Sequence, residues 1–350
     1  MGRYYRGREG GSAPPATMVR ALKFLFLLTF LAAAAGGAWL WWFAHEPLRL
    51  NGPAVEFTIP PGSSLRAAAR VIARAGIDLP PPVFELIVRA AGNPADIKAG
   101  TYEIAAGATP LDLLGKLTRG EFSLAEIKFI EGWTFRQLRE ALAAHPHVRQ
   151  ETKGLGDGTV LARLGVSESH PEGLFFPDTY RFARGTSDLD LLKSAHRAMA
   201  KRLDAAWAER RADLPLASPY EALILASIVE KETGRGDDRT MIAAVFVNRL
   251  RAGMKLQADP TVIYGLGEKF DGNLRKRDLV ADTPYNTYTR EGLPPTPIAL
   301  PGLAAIAAAT KPAAADALYF VARGDGSSEF SRTLEEHNRA VNRYQRGGRP

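Results

Sequence analysis

From Phe24 to Ala44 the chain runs through 21 residues without one charged side chain. As a helix this stretch reaches about 32 Å, enough to cross the hydrocarbon of a bilayer. Trp39, Trp41 and Trp42 stand at its far end, where amphipathic rings favour the lipid–water boundary. Arg3, Arg6, Arg8, Arg20 and Lys23 precede it against a single Glu9, a net of 5 − 1 = +4 out of the chain's +7. That excess before the span predicts a cytoplasmic N-terminus and a body on the outer, periplasmic or extracytoplasmic side of the plasma (inner) membrane. Residues 1–20, rich in Gly, Pro and charge, are expected to be a disordered cytoplasmic tail, and 21–44 an uncleaved single-pass anchor. Ala32–Ala35 offers small residues for cleavage as a signal peptide, but apolar residues continue through Trp42 and Phe43.

Beyond residue 23 the net charge is only 7 − 4 = +3, with no Lys/Arg run interleaved with aromatics, so nucleic acid is not an expected partner. Cysteine is absent, which excludes disulfides, thiolate metal sites and a cysteine nucleophile. No phosphate-cradling glycine loop is present, and His145-Pro-His147, the only close histidine pair, has no third ligand near it in sequence. Neither a cofactor nor a metal is expected. The 350 residues leave room for two compact domains after the anchor.

Three stretches share one punctuation. Phe57-Thr-Ile-Pro-Pro-Gly62-Ser-Ser64, Tyr102-Glu-Ile-Ala-Ala-Gly107-Ala-Thr109 and Lys128-Phe-Ile-Glu-Gly132-Trp-Thr134 each read as a short strand, a glycine turn and a Ser or Thr N-cap. Helices are expected to follow at Leu65–Ala75, Leu111–Thr118 and Arg136–Ala144. The predicted fold class is α+β, with a small β/α module over 52–122 and a mixed α/β domain over 123–345.

Within that second domain, Ser218-Pro219-Tyr220-Glu221 reads as a capping box with proline at the first helical position. The helix it opens is expected to stop at Gly234. Leu223, Ile224, Leu225, Ile228 and Val229 cover most of its circumference, so it is expected to be buried. At 100° per residue Glu230 shares a face with the small Ala226, Ser227 and Thr233, while Glu232 follows the apolar Leu225, Ile228 and Val229. An apolar setting raises a carboxyl pKa and suits a group that donates a proton near neutral pH. A glutamate that simply leaves a helix end and pairs with Lys231 or an arginine fits the same pattern. Asp237 and Asp238 are expected to cap a second helix through Leu250.

Polar loops follow. Gln257, Asp259, Thr261, Asn286 and Tyr288 supply the amides, hydroxyls and rings that sugar binding needs, although Asn, Gly and Pro also make turns. Glu172-Gly-Leu-Phe-Phe-Pro177-Asp178-Thr179-Tyr180 is read as an aromatic turn with two carboxylates, Arg149–Gly165 as an exposed loop, and Asp188–Ala212 as one or two helices. A buried strand Leu318–Ala322 and a helix Thr333–Tyr344 complete the chain.

Leu225-Ala-Ser-Ile-Val-Glu230-Lys-Glu-Thr233, Val245-Phe-Val-Asn-Arg-Leu250, Leu256-Gln-Ala-Asp-Pro-Thr261, Tyr285-Asn-Thr-Tyr288, Gly292-Leu-Pro-Pro295 and Leu334-Glu-Glu-His-Asn338 together resemble the YceG-like, endolytic murein transglycosylase family. Gly326-Ser-Ser-Glu-Phe330 departs from that family's Gly-Gly-His-like approach to phenylalanine. Residues 55–122 resemble LysM-like modules, which bind the sugar backbone of peptidoglycan. The resemblance implies a lyase that cuts inside nascent glycan strands and ends them as 1,6-anhydro-N-acetylmuramic acid. In it Glu230 is the catalytic acid and then base; Gln257, Asp259, Thr261, Asn286, Tyr288 and Glu232 are expected to contact substrate, with Asn286 or Gln257 bonding the N-acetyl group. It also implies work beside peptidoglycan synthases. A muramidase would need a second carboxylate, for which Asp259, Glu172 and Asp178 are candidates. An inert wall-binding scaffold would need none.

Overall fold

The computed structural model describes residues 16–91, 93–233, 235–345 and 347. Most of the expected N-terminal tail lies outside them, as does Gly234, the expected stop of the Glu230 helix. The chain divides into two units, Met1–Ser123 and Leu124–Pro350.

The first unit opens with α1, Ala16–His45. Residues 16–20, expected in the tail, instead form its first turn, because Ala16–Lys23 contains no glycine or proline to stop a helix. Arg20–His45 is long and apolar enough to cross a membrane. Its Leu and Phe side chains from Leu22 to Leu31 are exposed, whereas Leu40 and Phe43 are partly buried against the unit's core, and Thr29 Oγ1 donates to Leu25 O at 2.8 Å, satisfying the hydroxyl within the helix. The last turn packs Ala44 into the unit's core.

There follow β1 (Ala54–Ile59), α2 (Leu65–Arg74), α3 (Pro81–Ala91), β2 (Gly100–Ala105) and α4 (Pro110–Arg119). Ser64 and Thr109 cap α2 and α4 through their hydroxyls. The two strands pair antiparallel with Phe57 opposite Tyr102. Val55, Phe57 and Ile59 alternate inward and meet Ile72, Phe84, Ile104 and Leu117 in one core. Tyr102 is buried there because its hydroxyl donates to Lys98 O at 2.7 Å.

In the second unit β3 (Leu124–Lys128) is followed by α5 (Phe135–Ala144), α6 (Asp157–Leu164), β4 (Thr179–Ala183) and α7 (Asp188–Ala208). Then come α8 (Pro219–Glu232), α9 (Gly236–Arg251), α10 (Asp259–Leu266) and α11 (Lys276–Val280). The chain closes with α12 (Leu303–Thr310), β5 (Tyr319–Ala322), β6 (Ser328–Ser331) and α13 (Leu334–Tyr344). The strands form the antiparallel ribbons β3–β4 and β5–β6, so the mixed domain is mainly helical. The core is built around α8, whose residues Ala222 to Val229 are all buried and which packs against α7, α9, α10 and α12. Each buried Leu or Ile in that run contributes about 1.5–3 kcal/mol. Alanine-rich α12 allows close approach on one flank.

Candidate functional site

The N-terminus of α8 forms as its sequence suggests, with one change. Ser218 Oγ accepts from Glu221 N at 3.2 Å, but Glu221 reaches past the cap to Ala217 N at 2.6 Å. The helix then carries a chain of eight buried residues to Glu230, two residues before its end.

Ser227, fully buried on α8, donates to Ile224 O at 2.7 Å and accepts from Ile298 N at 3.0 Å. This fastens the segment before α12 to the helix. The same segment exchanges hydrogen bonds with the turn after β3, Gly132 N to Leu300 O at 2.8 Å and Leu300 N to Trp133 O at 2.7 Å. Gly302 N is thereby aimed at Glu230 Oε2, 3.0 Å away. On the other side Arg239 Nη2 of α9 lies 3.6 Å from Oε1. Burial raises the Glu230 pKa; the Gly302 hydrogen bond opposes it, the Glu131 charge adds to it, and Arg239 and Lys231 oppose it.

Glu230 opens on a cleft of about 380 Å³ lined also by Glu131, Trp133, Gln137 and Glu232. Lys231 and Gln137 also line an adjoining cavity of about 790 Å³, walled by Phe135, Glu172, Tyr264 and Tyr285. Together they form a groove with aromatic walls and carboxyl groups. Glu172, 3% exposed, accepts from Phe135 N at 2.9 Å and Tyr264 OH at 3.1 Å. Burial pushes its pKa up to about 7.

Glu232, in the lining of the Glu230 cleft, also interacts with a second polar cluster. Its pKa is pushed up to about 7, chiefly by burial and then by Asp259, against the pull of Arg249. Tyr288 OH donates to Asp259 Oδ1 at 2.5 Å. Gln257 holds φ 52, the one positive-φ side-chain-bearing residue among those described, and its N–H donates to Thr287 O at 3.0 Å. That conformation leaves the Gln257 side chain exposed and costs about 1 kcal/mol or more.

Two of the expected contact residues are buried. Thr261 is buried, donating to Ala258 O at 2.7 Å beside the Thr287 hydroxyl at 2.9 Å. Asn286 is buried too, and its amide donates to Asp278 O, Leu279 O and Ala281 O while accepting from Tyr288 N. With its hydrogen-bonding groups spent inside, Asn286 shapes the loop that presents Tyr288. Asp178 lines neither cavity and faces Arg202 at 3.5 Å. Glu131, Gln137, Arg239 and Gly302 join the site without having been singled out. Only Gly132-Trp133-Thr134, a turn before a capped helix, hinted at the first two.

The sequence profile of the YceG-like family matches residues 57–343. An endolytic murein transglycosylase of Bacillus subtilis is 33% identical over 329 residues, covering 88% of this chain and 90% of that protein. A Streptococcus pneumoniae protein of the same description is 29% identical over 361 residues, covering 92% of this chain and 65% of that one. A crystal structure of a YceG-like protein from Listeria monocytogenes superposes with a TM-score of 0.53 at 31% identity, covering 82% of this chain and 98% of that one.

Proposed function

This chain belongs to the YceG-like family, and from that premise we propose that it is a membrane-anchored lytic transglycosylase of peptidoglycan. It cleaves the β-1,4 bond between N-acetylmuramic acid and N-acetylglucosamine inside a strand, leaving a 1,6-anhydro end that terminates elongation. The observation that carries the reading is Glu230: a largely buried carboxyl with a raised pKa, held by a backbone amide at the wall of an open groove. A carboxyl poised in this way can first give a proton and then take one.

Glu230 protonates the glycosidic oxygen as the C1–O bond breaks. It then takes the proton of the muramic C6 hydroxyl as that oxygen closes on C1. No water is consumed. Tyr264 and Tyr285 offer ring surface to the sugars along the groove, and Gln257, Asp259, Tyr288 and Glu232 offer polar contacts nearer the second cluster. The α1 helix anchors the chain with its N-terminus in the cytoplasm. The first unit, a strand–helix–helix–strand arrangement with a further helix, acts as a LysM-like wall-binding module, and peptidoglycan synthases are natural neighbours.

A muramidase reading has one observation in its favour: Glu131 and Glu232 line the same cleft as Glu230. Mass spectrometry of the ends released from purified peptidoglycan by the full-length protein in detergent separates the two. Anhydro ends are expected, and Glu230→Gln is expected to lower their rate at least about 100-fold. Reducing muramic ends would establish hydrolysis instead. Undigested glycan that still binds both proteins would make the chain a scaffold.

A further inference from the structure

We propose that Arg239 is a positioning residue that acts through Glu230, its fixed positive charge receiving the negative charge that appears on Oε1 when the proton leaves. The inference rests on Glu230 being the acid. Arg239 Nη2 lies 3.6 Å from Oε1, close enough for strong attraction but beyond the hydrogen bond that would hold that oxygen fixed. The Arg239 side chain is 16% exposed, and its Nε is buried without a hydrogen-bond partner. Buried donors left unmet are costly, and they concentrate where function requires them. Arg249, on the same helix, shows the purely structural alternative: its guanidinium donates to Leu318 O and Leu256 O, each at 2.7 Å.

The two oxygens of Glu230 are also unequal. Oε2 already accepts the Gly302 N–H, so the acidic proton belongs on Oε1, the oxygen facing Arg239. In the first step the Oε1–H bond breaks and an O–H bond forms on the glycosidic oxygen, which keeps the electron pair of the broken C1–O bond. Glu230 gains one negative charge beside a guanidinium that cannot itself give up a proton. In the second step the C6 oxygen bonds to C1, its proton returns to Oε1, and the charge is discharged. The groups facing Glu230 are Glu131 from the turn after β3, Arg239 from α9, Lys231 on its own helix and the Gly302 amide at the start of α12. Glu232 lines the same cleft, and the charges that act on it are those of Asp259 and Arg249.

The test measures the rate of anhydro-end release by the full-length protein in detergent from pH 4 to 9, with a thermal melt of each variant. Arg239→Gln is expected to lower the maximal rate about 10- to 100-fold and to move the alkaline limb up by about one pH unit, because an opposite charge this close lowers an acid's pKa by about 1–3 units. Arg239→Lys keeps the charge but withdraws it, and is expected to fall between wild type and Arg239→Gln in both rate and limb. It carries the test alone if Arg239→Gln loses its cooperative melt. A slower but folded variant with an unmoved limb would reduce Arg239 to a structural role and overturn the inference. Absence of anhydro ends from the wild type would overturn the premise, and the inference with it.

Discussion

A methyl group at position 302 would fall 1.9 Å from Glu131 Oε1. The backbone there, φ −76 and ψ 173, suits any residue, so the demand for glycine is steric and comes from one side chain. The nearest obstacle is the free end of a flexible glutamate, which can swing aside. Gly302→Ala is therefore expected to keep its melting temperature within about 2 °C of wild type while removing a negative charge from beside Glu230. Because the Glu131 charge raises the Glu230 pKa, its departure lowers it, and the alkaline limb of the pH–rate profile should move down by about half a unit. The shift is opposite in sign to that of Arg239→Gln, and one set of pH profiles checks both. Glu230 was legible because its pattern is local: a greasy helix, small neighbours on one face, a carboxyl at the end. Glu131, Arg239 and Gly302 were not, since turns and helices distant in sequence carry them there.

Between elements, Glu172 ties the first turn of α5 to α10 through Phe135 N and Tyr264 OH. Its carboxyl holds a proton up to about pH 7, against an ordinary value of 4.5. The folded chain thus binds a proton that the unfolded chain has released, and stability falls as pH rises from about 4.5 to 7. Glu172→Gln keeps an uncharged group in place, and the Tyr264 hydroxyl can turn to suit it. Melting curves against pH are expected to lose a slope worth about 1–3 kcal/mol over that interval in this variant. Five of the helices that the sequence announced carry a side-chain cap: Ser64, Thr109, Thr134, Ser218 and Thr333 each accept from a backbone N–H of the first turn, whereas α9 starts at Gly236 with no side-chain cap, and Asp237 and Asp238 lie within its first turn instead of capping it. The helix α6, which starts at Gly156 without a side-chain bond, went unread. The first two residues of β4, Thr179 and Tyr180, were read as part of a turn because the partner strand β3 lies about fifty residues earlier, and pairing at that distance leaves no local periodicity. The expected loop 149–165 contains α6, whose Val160 and Leu161 are buried.

At the scale of the whole chain, buried apolar residues form two separate clusters, one within each unit. Phe84, fully buried in the first, is expected to lose about 3–5 kcal/mol of that unit's stability on truncation to alanine. Calorimetry of the full-length protein in detergent should show one transition move and the other stay. The apolar helix was readable from composition alone, because it depends on one long run rather than on contacts. How the two-stranded ribbons pair was not, since each pairing is set by partners distant in sequence. The link from α1 to the first body carries a consequence of its own. Only eight residues separate His45 from Ala54, at most about 29 Å of chain, and they are not slack: Leu48 N bonds Ala108 O at 2.8 Å and Leu50 bridges Ile77. With α1 in a bilayer, the first unit has almost no vertical play. On the proposed anchored, wall-binding role, it searches a sheet rather than a volume, so its encounters with glycan scale with the number of molecules per unit area of membrane, and lateral diffusion sets how soon it reaches the next strand.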